Sequence, residues 1–297
     1  MEGGRTDLKF KVYLRLMRPV NCVMMGIAVL IGEFIALKGS LNPLASLLGF
    51  LTAFTLAGGS MAANDYFDRE VDAVNEPTRP IPSGQVTPSQ TLIFSALLGV
   101  LGLAFAFLSL RFFQGLLAPL VAGASFALAL GYNGWGKRFG LLGNLMVSAC
   151  VAVPFLYGAF MVGVLPSLLL AFFAALAFLS NTGREIVKGI ADMEGDRLRR
   201  IETLALKYGP RLAAWAASAF YRSAIILSIL PPVLGLVSIY YVPPVALACL
   251  SFAYTSLKIL GSPELGEARR LKRLSLLGML FGLIGFMAGA IGEPVIS

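Results

Sequence analysis

The chain contains no histidine among its 297 residues. That absence excludes His-ligated zinc, Ser-His-Asp triads, histidine proton relays and axial histidine ligation of haem in one step. Charge is also scarce: 13% of the residues are Asp, Glu, Lys or Arg against 57% hydrophobic, and the mean hydropathy is +0.80. Soluble domains carry about one-quarter charged residues, so this composition describes a polytopic membrane protein. A length that would suggest two soluble domains is therefore read as one helical bundle. Cysteine is limited to Cys22, Cys150 and Cys249, each in an apolar segment and without metal-like spacing, which makes them small core residues. No cleaved leader is expected, because residues 1–19 carry Arg5, Lys9, Lys11, Arg15 and Arg18 with no short apolar core before a small-residue site. Leu8, Val12, Leu16 and Pro19 interleave with those cations and predict an amphipathic segment lying on an anionic membrane surface.

What the chain has in abundance is apolar runs of spanning length. A helix needs about 20 mostly apolar residues to cross the hydrocarbon core. Nine such runs are read at roughly 20–37, 44–63, 90–110, 114–133, 142–162, 166–183, 212–230, 242–258 and 274–291. The fold class expected is all-α, a polytopic membrane bundle. Alternate connections (1–19, 64–89, 134–141, 184–211 and 258–273) hold 21 of the 24 Lys and Arg residues. The other side carries only Lys38 and Arg111, while Arg222 falls inside the seventh run. By the positive-inside rule the N-terminus and the cation-rich connections face the cytoplasm and the C-terminus faces outside, in a multi-pass cell-membrane protein.

The few acids are concentrated. Ten of the 16 fall in two connections, 64–89 and 184–211. The first holds Asn64, Asp65, Asp68, Glu70, Asp72 and Glu76, the second Glu185, Asp192, Glu194, Asp196 and Glu202. On a helix running out of the second span, Asn64, Asp68 and Asp72 lie four apart and share a face, with Asp65 three before Asp68. Asp192 and Asp196 repeat the four-residue spacing. Like charges that close repel unless a cation sits between them, and oxygen ligands without Cys or His indicate Mg²⁺. Arg69, Arg79, Lys137, Arg138, Lys188 and Arg197 are interleaved with the acids. Carboxylate-held metal plus Arg and Lys is the combination that neutralises a diphosphate. The clusters follow the second and sixth spans, four helices apart. That spacing suggests two related four-helix halves that bring both clusters to one mouth, with a ninth helix packed through Gly278, Gly282, Gly285 and Gly289.

These residues resemble the UbiA superfamily of intramembrane prenyltransferases. The motif N-D-x-x-D-x-x-x-D stands here as Asn64-Asp65-x-x-Asp68-x-x-x-Asp72, followed by Arg79-Pro80-Ile81-Pro82-Ser83-Gly84; the second aspartate motif stands as Asp192-Met193-Glu194-Gly195-Asp196. Segments 137–144, 184–190 and 203–209 are similar to those of archaeal digeranylgeranylglyceryl phosphate synthases. The resemblance covers essentially the whole chain. It implies that Asn64, Asp68, Asp72, Asp192 and Asp196 hold Mg²⁺ on a prenyl diphosphate, with Asp68, Asp72, Asp192 and Asp196 as the catalytic set. Arg79 and Lys188 would add positive charge, and Asp65, Arg69 and Arg197 would stand in the same substrate-binding clusters. Tyr66 and Tyr132 are candidates to face the allylic cation.

The acceptor implied is geranylgeranylglyceryl phosphate, prenylated on its free hydroxyl to an ether. Its own phosphate would need cations, for which Lys137, Arg138 and Lys207 are the candidates. Two other readings stay open. An aromatic acceptor for quinone synthesis would use the same diphosphate site, and an ion-coupled transporter would need its acids at midplane rather than at helix ends. No nucleic-acid partner is expected, and the sequence is silent on oligomeric state.

Overall fold

The structure, a computed structural model, describes residues 2–198 and 202–291. Arg199 and Arg200 of the connection 184–211, the side chains of Arg5, Leu8 and Lys9, and the C-terminal residues 292–297 lie outside that description. In chain order the helices are α1 (Glu2–Met17), α2 (Pro19–Ala36), α3 (Pro43–Asn75), α4 (Pro88–Phe113), α5 (Leu117–Gly134), α6 (Leu141–Met161), α7 (Leu168–Ala191), α8 (Met193–Leu198), α9 (Leu204–Tyr208), α10 (Pro210–Leu227), α11 (Leu230–Val233), α12 (Val242–Gly261) and α13 (Leu265–Ala290). Among the described residues nine helical segments are long and apolar enough to cross a membrane, and none is a strand. The expected spans are all present.

Local chemistry sets where the helices begin. Pro19, Pro43, Pro88 and Pro210 stand in the first turns of α2, α3, α4 and α10, where a missing N–H costs nothing. Asn42 caps α3 through the amides of Leu44 and Ala45, and Ser167 caps α7 through that of Leu170. Thr87 and Gln90 form a reciprocal capping box on α4. The outer faces are apolar: Val100, Leu120, Leu250 and Leu257 are 66–68% exposed, as lipid-facing side chains must be.

Close helix crossings organise the bundle. A Cβ on Gly32 would lie 2.2 Å from the Phe155 carbonyl oxygen, and one on Gly158 would lie 2.2 Å from that of Val29. Backbone therefore meets backbone where α2 crosses α6, as small residues permit in membranes. On α13, Gly278 abuts Ser251 and Phe252, Gly285 abuts Val245 and Gly289 abuts Tyr241, so the ninth spanning helix does pack through its glycines. Between these contacts Phe155, Phe173, Tyr241 and Phe286 form a ring cluster, with Phe173 and Phe286 stacked at 4.1 Å. Buried Glu33 at the end of α2 accepts from the Asn42 amide and the Ser46 hydroxyl, tying α2 to the start of α3.

The N-terminal helix differs from its expected placement. Val12 and Leu16 are buried against Ala62 and Val86, and Arg15 donates to the Thr78 carbonyl at 2.8 Å. The apolar face expected on lipid is covered by the protein at these positions, because α3 runs past the membrane core and offers its own apolar flank.

Candidate active site

Helix α3 is 33 residues long. At 1.5 Å per residue it spans about 50 Å, against a hydrocarbon core of about 30 Å. Counted from Pro43, the excess begins near Asn64, so the first motif stands on an uninterrupted helix. The motif thus lies on the helix expected to run out of the second span: Asn64, Asp65, Asp68 and Asp72 are all helical, and the irregular part of 64–89 begins only after Asn75. Likewise α7 carries Glu185 and Lys188 on its last turns and ends at Ala191; Asp192 is its C-cap, and its carbonyl still accepts the Asp196 amide as α8 begins. The helical register in both clusters supplies the shared face that the four-residue spacing demands.

The two clusters meet at one mouth. A pocket of about 80 Å³ is lined by Asn64, Asp68 and Asp72 of α3, by Asp192 and Asp196, and by Arg79, Tyr132, Lys137 and Lys188. Each acid group is held against cations. Arg79 Nη1 reaches Asp72 at 2.6 Å and Asp65 at 3.4 Å, while its Nε donates to Glu76 at 3.1 Å. Lys137, on the 3₁₀ turn Gly136–Phe139, donates to Asn64 at 2.8 Å and to Asp68. Lys188 and Arg184 flank Glu185 at 3.2 and 2.9 Å.

Titration behaviour follows from this crowding. Burial and the neighbouring Asp192 push the Asp196 carboxyl up to about 7, and Asp68 from the other cluster adds to the repulsion. Burial pulls the Lys137 ammonium down, opposed by Asp68. For Arg79, burial is outweighed by Asp72, Asp65 and Glu76, which raise it above its ordinary value. These acids and bases sit in mutual fields, the condition expected where a charged ligand is to be bound.

Below the mouth lies an apolar cavity of about 190 Å³ between α2, α3, α5, α6 and α7. Its walls include Met25, Val29, Leu56, Phe126, Val147 and Pro154, ending at Thr52 and Tyr157. Arg18, Asn64, Tyr132, Glu185 and Lys188 line both spaces, so polar head and apolar tail regions are continuous.

Other expected residues stand elsewhere. Arg69 lies over the Tyr66 ring at 4.9 Å and donates to the Tyr66 carbonyl, and neither residue lines the pocket. Arg138 is exposed. Arg197 lines a separate surface recess with Glu194 and Pro263. Lys207 pairs with Glu202 at 3.0 Å on the surface, away from both spaces. Arg222 is on the exposed face of α10.

Three cations at the site went unread in the sequence. Arg18 Nη2 meets Asp65 at 2.6 Å, Lys272 Nζ meets Asp192 at 3.2 Å, and Arg184 lines the apolar cavity. Arg18 takes a left-handed backbone (φ 53°) just before Pro19. A proline disfavours helix in the preceding residue, and an Arg-Pro pair at a span boundary was the available signal. Lys272 sits near the start of α13, too far along the chain for spacing to reveal it.

An all-helical membrane bundle with a polyanion-binding mouth over an apolar cavity defines an enzyme class that works on a charged head with a lipid tail. The chain matches the UbiA prenyltransferase family over residues 25–277. It is 36% identical over 281 residues to the digeranylgeranylglyceryl phosphate synthase of Methanothermobacter thermautotrophicus, covering 94% of this chain and 95% of that protein. With the protein of the same name from Methanopyrus kandleri the identity is 37% over 279 residues, covering 94% and 98%. A solved structure from work on digeranylgeranylglyceryl phosphate synthase in membranes superposes with a TM-score of 0.73 at 30% identity, covering 95% of this chain and 99% of that one. A UbiA homologue from Archaeoglobus fulgidus bound to GPP and Mg²⁺ shares the fold, with a TM-score of 0.59 at 16% identity and coverage of 93% and 99%. The chain belongs to the UbiA prenyltransferase family. It is a multi-pass intramembrane prenyltransferase.

Proposed function

We propose that this enzyme transfers the geranylgeranyl group of geranylgeranyl diphosphate to the free hydroxyl of geranylgeranylglyceryl phosphate, making an ether-lipid precursor. The observation that carries the reading is the continuity of the charged mouth with the apolar cavity through Arg18, Asn64, Tyr132, Glu185 and Lys188. The identity to the two named synthases over nearly their whole length supports the acceptor.

The donor atoms fit Mg²⁺. This ion takes one or two carboxylates, keeps waters and completes its shell with substrate phosphate oxygens. Among the described residues no three carboxylates converge into an all-protein cage, and carboxylates distributed over α3 and the α7–α8 junction match that modest demand. Asn64, Asp68, Asp72, Asp192 and Asp196 would hold the metal. When bound, Mg²⁺ supplies positive charge against which the diphosphate departs. Arg79, Lys137 and Lys188 then serve the diphosphate oxygens, exchanging carboxylate partners for phosphate ones. Tyr132 is buried on the shared wall with Lys137 Nζ 5.6 Å from its ring centroid, and its ring would face the allylic carbon as that carbon gains positive charge. The allylic C–O bond to diphosphate breaks and the ether C–O bond forms. With no histidine in the chain, the hydroxyl proton goes to a site carboxylate or to the departing diphosphate. The cation asymmetry supports a cytoplasmic mouth and N-terminus, with the C-terminus on the opposite side.

The test is the product formed by purified protein given geranylgeranyl diphosphate, Mg²⁺ and either geranylgeranylglyceryl phosphate or a hydroxybenzoate. Ether formation on the glyceryl phosphate is expected. Faster prenylation of the hydroxybenzoate would overturn the acceptor while leaving the diphosphate site standing.

A further inference from the structure

The apolar cavity has a charge pattern unlike that of the mouth above it. Its lining contains three cations, Arg18, Arg184 and Lys188, and one carboxylate, Glu185. The mouth, by contrast, is lined by Asp68, Asp72, Glu76, Asp192 and Asp196 besides Glu185. A metal-borne diphosphate suits the acid-rich side. A metal-free anion suits the cation-rich one.

All three cations meet a carboxylate, and only Arg184 keeps a buried donor without a partner. Lys188 Nζ is on Glu185 at 3.2 Å and Arg18 Nη2 is on Asp65 at 2.6 Å. Arg184 donates from Nη1 to Glu185 at 2.9 Å, and its Nε is buried with no hydrogen-bond partner. A buried N–H without an acceptor is destabilising and points to a group that binds there. Arg138 and Lys207, the other cations considered for an acceptor phosphate, stand outside the cavity, and Lys137 belongs to Asn64 and Asp68. Guanidinium is the side chain best shaped for a phosphate, through paired donors in one plane.

We infer that Arg184, assisted by Arg18, binds the phosphate of the acceptor at the upper end of the apolar cavity, on the side away from the metal-binding acids. The inference rests on the glyceryl phosphate reading of the acceptor and adds to it the group that recognises the headgroup. It also gives a physical basis for discrimination: an acceptor without a phosphate would leave the buried Arg184 Nε unpaired inside the protein.

The experiment compares geranylgeranylglyceryl phosphate with the dephosphorylated geranylgeranylglycerol as acceptors, at saturating geranylgeranyl diphosphate and Mg²⁺. The wild-type protein is expected to favour the phosphorylated acceptor in kcat/KM. In Arg184→Gln that preference should shrink by about 10- to 100-fold, the scale of a lost hydrogen bond to a charged group, through a raised KM for the phosphorylated acceptor. The KM for geranylgeranyl diphosphate should stay within about twofold. If Arg184→Gln does not accumulate as folded protein, Arg184→Lys, which keeps the charge but lacks Nε, is read in its place and should show the same loss in milder form. Equal losses on both acceptors, or a raised KM for the donor alone, would overturn the assignment and mark a structural or donor-side role. A wild-type protein that prenylates neither glycerol acceptor but accepts a hydroxybenzoate would remove the acceptor reading itself. Activity on the glyceryl phosphate with an unchanged Arg184→Gln preference would remove only the Arg184 site.

Discussion

Asp68→Asn separates the charge of the site from its shape. Asp68 stands at the centre of the first motif, with Lys137 on its Oδ2 and both side chains about 15% exposed. Removing one partner of a buried ion pair costs about 3–5 kcal/mol when the other is left uncompensated. Here Asn keeps an acceptor at the same place, and Asn64 still accepts from Lys137 at 2.8 Å, so the stability cost should fall to about 1–2 kcal/mol. Catalysis should suffer more. Losing a charged group that helps stabilise the departing diphosphate is worth about 2.7–4 kcal/mol in the barrier, or about a hundred- to a thousandfold in kcat. The assay is single-turnover transfer of labelled geranylgeranyl at several Mg²⁺ concentrations, with thermal unfolding of the same preparation measured in parallel. The expected result is a folded protein, slightly less stable, with kcat down at least about a hundredfold and only partial recovery at high Mg²⁺. Activity within about threefold of wild type would refute a metal-holding role for Asp68. A loss that tracks unfolding alone would refute the separation of charge from shape.

Chelation by EDTA should abolish transfer, and Mg²⁺ or Mn²⁺ should restore it, because the candidate ligands are all oxygens; full activity after chelation would remove the metal from the proposal. Gly158→Val places a side chain where a Cβ alone would come within 2.2 Å of the Val29 carbonyl and 2.6 Å of the Glu33 amide. With backbone on both sides unable to yield, the variant should lose more than about 3 kcal/mol and fail to accumulate, read by monodisperse yield in detergent; wild-type yield and stability would show that the crossing is softer than the structure draws it. Cysteine introduced at exposed Ser83 should be labelled from the same side as one at Glu194, and cysteine at Ser40 from the opposite side. Labelling of Ser83 and Glu194 from different faces would break the shared mouth.

The fold was legible because its dominant signal is apolar length: nine runs, alternating with cation-rich and cation-poor connections, became nine spanning helices. The first cluster was legible for a related reason, since Asn64, Asp68 and Asp72 follow one another along a single helix face and local spacing is what a sequence displays. Contacts across the bundle were not legible. Nothing near Asp65 in the chain announces Arg18, which is 47 residues away, and Lys272 is 80 residues from Asp192. Arg138 and Lys207 mislead for the opposite reason, being close in sequence to the motifs but turned to solvent or to Glu202. Proximity in sequence brings the acids of each cluster together because they stand on or beside one helix; it is silent on Arg18 and Lys272, which reach in from separate elements.

That division between local acids and distant cations bears on how the site works. A membrane-edge cluster containing Asp65, Asp68, Asp72, Asp192 and Asp196 cannot stay charged and partly buried without counter-charge. The fold provides it from four directions: Arg18 before α2, Arg79 after α3, Lys137 on the turn after α5, and Lys272 in α13. Of these, Arg79 and Lys137 are the groups proposed to serve the diphosphate. On the proposed reading, metal and diphosphate arriving together would exchange one set of ion pairs for another, carboxylate to metal and Arg or Lys to phosphate. Such an exchange limits the desolvation cost of binding, since no charge has to be stripped of all partners at any stage. Burial and Asp192 push the Asp196 carboxyl up to about 7, so a cation placed beside it would favour its charged form.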